Sequence, residues 1–169
     1  PGGIPPGVLS IRRRLFNGGI EMDRDVGEVK YIIAIDPGTE KCGLAVADMD
    51  GQIVLQEIVP AVELIGTVGD VARQFSPALL VLGDRTGAKK LRGLFHSHGI
   101  EDLVIAVKLV DEHLTSQEAR MRYLRDRQRQ GKIIHRLIPL GLQVPDQAYD
   151  DYVAVILAKR YLKQLGHSV

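Results

Sequence analysis

Four carboxylates in this chain stand where a carboxylate needs a reason: Asp36, Glu112 and the adjacent pair Asp150-Asp151. Asp36 and Glu112 each follow an apolar run, Tyr31 to Ile35 in the first case and Leu103 to Val107, running on to Val110-Asp111, in the second. An acid beside the end of a buried strand is costly unless something cationic meets it. Asp150 and Asp151 precede Val153-Ala-Val-Ile-Leu157, so at least one of them is carried near the buried side of a helix's first turns. The helix dipole is an ordinary explanation for that pair, and turn capping is one for Asp36 beside Pro37-Gly38. The dipole accounts for neither Asp36 nor Glu112. If the two strands ahead of them are parallel neighbours, both acids reach the same sheet edge.

Carboxylates gathered in one place repel, so a cluster of three implies a bound cation. With no His or Cys at ligand spacing, an all-oxygen set favours Mg²⁺ or Mn²⁺ over zinc. Two such ions about 4 Å apart activate water and stabilise the leaving oxygen in phosphodiester cleavage. His96 and His98 do not compete, since residues two apart on a helix point in different directions.

The cations fit a polyanionic substrate. Between Arg120 and Arg136 seven of them (Arg120, Arg122, Arg125, Arg127, Arg129, Lys132, Arg136) face one acid, Asp126, for a net charge of +6. A solvated helix face is the common meaning of a charge run, but such faces usually mix signs. One-sided charge just after Glu112 suits a groove that tracks phosphates. The candidate nucleic-acid contacts are Lys41, Arg85, Lys89, Lys90, Arg120, Arg122, Arg125 and Arg129.

These residues must be positioned by one α/β domain. The 169-residue length suits a single core, and 45% hydrophobic with 25% charged residues is ordinary for a water-soluble globular chain. No apolar run approaches the roughly 18 residues that span a bilayer, and no signal-peptide pattern opens the chain. The lone Cys42 excludes an internal disulfide framework and points to the cytoplasm. The net charge is only +1, but it is unevenly distributed; the sequence does not choose between monomer and homodimer.

Tyr31 to Ile35, Gly43 to Ala47 and Gln52 to Val59, separated by Pro37-Gly38 and Asp48-Met-Asp-Gly51, predict three antiparallel strands. Helical spacing of Leu64, Val68, Val71, Ala72 and Phe75 predicts a helix over 61–75. A buried strand over Ala78 to Leu82 follows, then the loop Gly83-Asp-Arg-Thr-Gly87, a helix from Ala88 to His98 ended by Gly99, and a strand over Leu103 to Val107. Thr115-Ser-Gln-Glu118 reads as a capping box that starts a helix through Arg127. Pro145-Asp146 is expected to open the last helix. The sum is a mixed five-stranded sheet, three strands antiparallel and the rest parallel, with helices on both faces. Residues 1–29, rich in Gly and Pro, are expected to be a flexible extension to a domain over 30–169. Met22 reads as the physiological start.

Asp36-Pro-Gly-Thr followed by Gly43-Leu-Ala-Val-Ala-Asp48 resembles the opening motif of the YqgF proteins, pre-rRNA nucleases also described as Holliday-junction-resolvase-like. Asp111-Glu-His-Leu-Thr115 is similar to their Asp-Glu-Arg-Leu-Thr motif, and Asp150-Asp-Tyr-Val-Ala-Val-Ile-Leu-Ala-Lys-Arg-Tyr-Leu162 to their closing helix. Ile35-Asp-Pro-Gly38 also resembles RuvC resolvases. The resemblance spans about residues 30–165. It implies an RNase H-like fold, Mg²⁺- or Mn²⁺-dependent nuclease chemistry with Asp36, Glu112 and Asp150 as catalytic metal ligands, and an accessory place for Asp151. It implies precursor ribosomal RNA as substrate, with branched DNA such as a Holliday junction as the alternative. Two positions depart from the pattern: His113 stands where the family has Arg, and Gly83-Asp-Arg-Thr-Gly87 replaces a Gly-Leu-Pro loop, where Asp84 is either an accessory acid or, the favoured reading, a loop cap. Two other readings compete: an ATP-binding fold of the actin and sugar-kinase type, whose two lobes need a far longer chain, and a non-catalytic nucleic-acid-binding module.

Overall fold

The computed structural model describes residues 10–17, 20–76, 78–84, 87–113, 115–130 and 148–169, with side chains from residue 29 on, those of 128–130 excepted. Within the stretch expected to be an appendage, β1 (Ser10–Asn17) and β2 (Ile20–Glu28) pair antiparallel as a two-stranded sheet of their own. Val29, 1% exposed, already belongs to the core of the main body.

The main sheet contains β3 (Tyr31–Asp36), β4 (Lys41–Asp48), β5 (Ile53–Pro60), β6 (Ala78–Gly83) and β7 (Ala106–Val110), in the order β5-β4-β3-β6-β7. β3 and β4 pair antiparallel, as do β4 and β5, whereas β3, β6 and β7 run parallel. The apolar runs of β3 and β6 lack alternation because both faces are covered, as central strands of a two-sided sheet require. Pro60 is accommodated because β5 is an edge strand.

Side-chain alternation divides the core into two layers. Ile33, Ile35, Leu44, Val46, Leu80 and Leu82 face α1 (Leu64–Gln74), α2 (Ala88–Ser97) and the short α3 (Ile100–Leu103). Ile32, Ala34, Ala47, Leu79 and Val81 face the other way, with Ala119 of α4 (Thr115–Gln130) and Val153, Ile156, Leu157 and Leu162 of α5 (Asp150–Gln164). α5 lies across β3, β4, β5 and β6. Each fully buried Leu or Ile in these layers contributes about 1.5–3 kcal/mol.

Four expectations need correcting. The strand expected over Leu103 to Val107 forms at Ala106–Val110, because Leu103 ends α3 and Val104 and Ile105 are buried before the ladder begins. The run signalled burial, which a helix end and a loop can satisfy as well as a strand. The strands ahead of Asp36 and Glu112 are not neighbours: β6 lies between them, and the two acids share an edge because all three strands run parallel. The capping box does not form. The Thr115 hydroxyl donates to the Glu112 carbonyl at 2.7 Å, and the Glu118 carboxylate is taken by Arg160 at 3.0 Å. The last helix starts at Asp150, and the expected opening residues Pro145 and Asp146 lie outside the described residues.

Candidate active site

Asp36 ends the central strand, and two glycines stand beside it. Across the antiparallel ladder Asp36 is paired with Gly43. Across the parallel ladder Ile35 is paired with Leu82, which puts Gly83 level with Asp36. By the alternation of β3, β4 and β6, all three residues point to the face that α5 covers.

Each glycine leaves room for another acid. A Cβ on Gly43 would run into the backbone carbonyl of Asp150 and come within 2.8 Å of the Asp151 nitrogen, so only glycine lets the start of α5 settle onto β4 there. A Cβ on Gly83 would occupy the place of the Glu112 carboxylate and come within 2.6 Å of its Cγ. Glu112, two residues beyond β7, therefore lies over the end of β6 toward Asp36. At 2% exposure it is one of two buried polar residues among those described, the other being Thr115.

The Glu112 backbone is fixed by its neighbours. The Asp84 carboxylate accepts the Glu112 N–H at 3.2 Å, and the Asp84 N–H donates to the Val110 carbonyl at 3.1 Å. Asp84 thus holds the loop that presents Glu112 rather than its own loop, of which Arg85 and Thr86 lie outside the described residues. The Thr115 hydroxyl and N–H both donate to the Glu112 carbonyl, at 2.7 and 3.0 Å.

Cys42 reports where two of the acids lie. It is buried on the opposite face of β4, and burial pushes its thiol up in pKa; the hydrogen bond it donates to the Gly38 carbonyl works against this, and the charges of Asp36 and Asp150 add smaller upward contributions. Both aspartates are therefore within electrostatic reach of one side chain at the β3–β4 turn. Asp151 turns elsewhere: its Oδ2 accepts a hydrogen bond from Gln56 of the edge strand at 2.9 Å, away from Asp36.

Asp36, Glu112 and Asp150 thus come to one corner of the sheet from three different elements. Among the described residues no three His, Cys, Asp or Glu side chains stand close enough together to hold a metal ion directly. In donor chemistry the set suits a hard cation: three carboxylates, one of them seated over Gly83 and one carried by the helix whose first residues lie on Gly43, while the thiol of Cys42 faces the other layer.

The candidate cations fall on both sides of this corner. Lys41, Lys89 and Lys90 are exposed, and Lys90 borders a cavity of about 340 Å³ beside Pro37, Gly38 and Thr39. Arg122 and Arg125 line a groove of about 710 Å³ between α4 and α5. Glu118, Asp126 and Arg160 line it with them, so the groove carries both signs of charge. Arg120 is half-buried, the side chain of Arg129 and all of Arg85 lie outside the described residues, and Lys132 and Arg136 do as well. His96 and His98 are exposed on the far face, occupied by Glu101 at 3.0 Å and the Leu94 carbonyl at 2.8 Å.

No family model matches the chain, and no curated protein does. The chain is similar to a solved structure of RuvC from Thermus thermophilus, at 15% identity and a TM-score of 0.44, covering 79% of this chain and 94% of that one. At that distance the likeness bears on neither activity nor residue roles. Strand order and direction by themselves make the fold RNase H-like, a mixed sheet of three antiparallel strands extended by two parallel ones, with helices on both faces.

Proposed function

We propose that the chain is a divalent-metal-dependent nuclease acting on structured nucleic acid, with precursor ribosomal RNA as its substrate. The observation that carries this reading is the pair of glycines flanking Asp36, each leaving space for one further acid on the same face of the sheet. The substrate follows from the three motifs that resemble the YqgF proteins.

In this reading Asp36, Glu112 and Asp150 hold Mg²⁺ or Mn²⁺. When bound, the cation supplies an activated water and a positive charge for in-line displacement at phosphorus. Asp36 is the ligand carried on the ladder itself, paired with Gly43 at the end of β3. Glu112, withdrawn from water, interacts with a cation more strongly than an exposed acid would. Arg122 and Arg125 on one side, with Lys41, Lys89 and Lys90 on the other, hold the phosphates to either side of the scissile one.

Cleavage with Mg²⁺ of precursor ribosomal RNA, single-stranded RNA and DNA, and a Holliday junction tests the proposal, with Asp36→Asn as the control. Precursor RNA cut by the wild type and spared by Asp36→Asn is the expected result. Preference for the junction would replace the substrate, and binding of every nucleic acid without cleavage would leave a non-catalytic module.

A further inference from the structure

Arg160 lies ten residues beyond Asp150 on the same helix, about 15 Å along its axis. Its Nη1 donates to the backbone carbonyls of Asp111 at 3.0 Å and His113 at 2.7 Å, the two residues that bracket Glu112. Its Nη2 donates to Glu118 of α4 at 3.0 Å. One guanidinium therefore joins α5, α4 and the loop that presents Glu112, with its side chain 27% exposed.

From the opposite side, Asp84 accepts the Glu112 N–H. With the Glu112 carbonyl taken by Thr115, the peptide units around this residue are held from β6, α4 and α5 at once. α5 also carries Asp150 at its start. A helix is stiff over ten residues, so fixing the Glu112 loop to its far part fixes the loop relative to Asp150.

We propose that Arg160 is a positioning residue: it sets the Glu112 loop against Asp150 and so fixes the separation of two metal-binding acids. The inference rests on the nuclease reading of the site. A planar fork spans two carbonyls and a carboxylate together, whereas the point charge of a lysine does not. Groups that orient metal ligands change metal affinity by about 10- to 100-fold when removed.

The competing role is a plain tether between α4 and α5 through Glu118, and the choice of variants separates the two. Wild type, Arg160→Lys, Arg160→Gln and Glu118→Gln are compared by Mn²⁺ titration calorimetry, by amide hydrogen exchange at residues 111–115, and by cleavage and nucleic-acid affinity. The expected result is Mn²⁺ affinity about tenfold weaker in Arg160→Lys and weaker still in Arg160→Gln. Faster exchange at 111–115 and unchanged nucleic-acid affinity should accompany it, with Glu118→Gln within about twofold of wild type. Should Arg160→Gln fail to fold, Arg160→Lys carries the comparison with charge and aliphatic stem retained.

Wild-type Mn²⁺ affinity and exchange in Arg160→Lys would overturn the proposal, as would equal losses in Glu118→Gln. A wild-type protein that binds no Mn²⁺ and cuts nothing would instead remove the nuclease reading. The exchange measurement would still show whether Arg160 holds the loop.

Discussion

Gly43 and Gly83 obstruct a Cβ in different ways, and the difference predicts two different failures. A methyl at Gly83 meets the end of the Glu112 side chain, which can swing aside. Gly83→Ala should therefore fold with a loss of about 1 kcal/mol, while displacing a metal-binding carboxylate. A misplacement of about 1 Å can cost 100-fold in rate. A methyl at Gly43 meets the backbone of Asp150 and Asp151, which can move only if α5 moves with it. Gly43→Ala should cost about 3 kcal/mol, at the upper end of overpacking penalties. Thermal melts and cleavage rates of the two variants check the contrast. Equal melting temperatures, or full activity in Gly83→Ala, would show that the glycines do not cradle the acids. The acids themselves were legible in the sequence, because a charge beside an apolar run is conspicuous. The cradle was not, since what a glycine permits depends on which distant residue lies over it.

At the scale of elements, strand and helix types were legible where the apolar pattern was long, and boundaries were less so. β7 formed three residues later than the run Leu103 to Val107 suggested, because edge strands need little burial: Lys108 and Leu109 are exposed within it. The start of α5 matters more, since it places Asp150 in the first turn and sends Asp151 toward Gln56. Helix α4 was read from a capping box that does not form, and its arginines Arg122 and Arg125 line the groove it makes with α5. Arg122→Gln with Arg125→Gln should weaken binding to all sequences alike, because phosphate contacts carry no sequence information. Each lost phosphate contact should flatten the plot of log affinity against log salt by about 0.7 for single strands or 0.9 for duplex. Affinity measured between 50 and 200 mM salt (roughly the range in which such slopes are read) tests this. An unchanged slope would mean that the groove faces away from the substrate.

For the molecule as a whole, the acids lie on elements far apart in sequence, so the site exists only when the sheet and α5 are assembled. An ion held by Asp36, Glu112 and Asp150 binds the folded state and not the unfolded chain, and must stabilise it by mass action. At a hundred times the dissociation constant the gain is about 2.7 kcal/mol, or roughly 5–10 °C for a domain of this size. Asp150→Asn separates a ligand from a helix-terminal charge. Asp150 lies in the first turn of α5, where a negative charge favours the helix by about 0.3–1 kcal/mol. In the metal-site reading it also stands beside Asp36, whose charge would oppose it in the absence of a cation. Two charges 4 Å apart at an effective dielectric of 20 repel by roughly 4 kcal/mol, an upper figure because separation and protonation relieve it. If repulsion dominates, Asp150→Asn melts higher than wild type in EDTA and scarcely responds to Mn²⁺, while wild type climbs with each addition. If the dipole dominates and Asp150 holds no metal, the variant melts lower in EDTA and climbs as steeply as wild type. Melts of both proteins in EDTA and then in increasing Mn²⁺ decide between these patterns, and the second would remove Asp150 from the metal site.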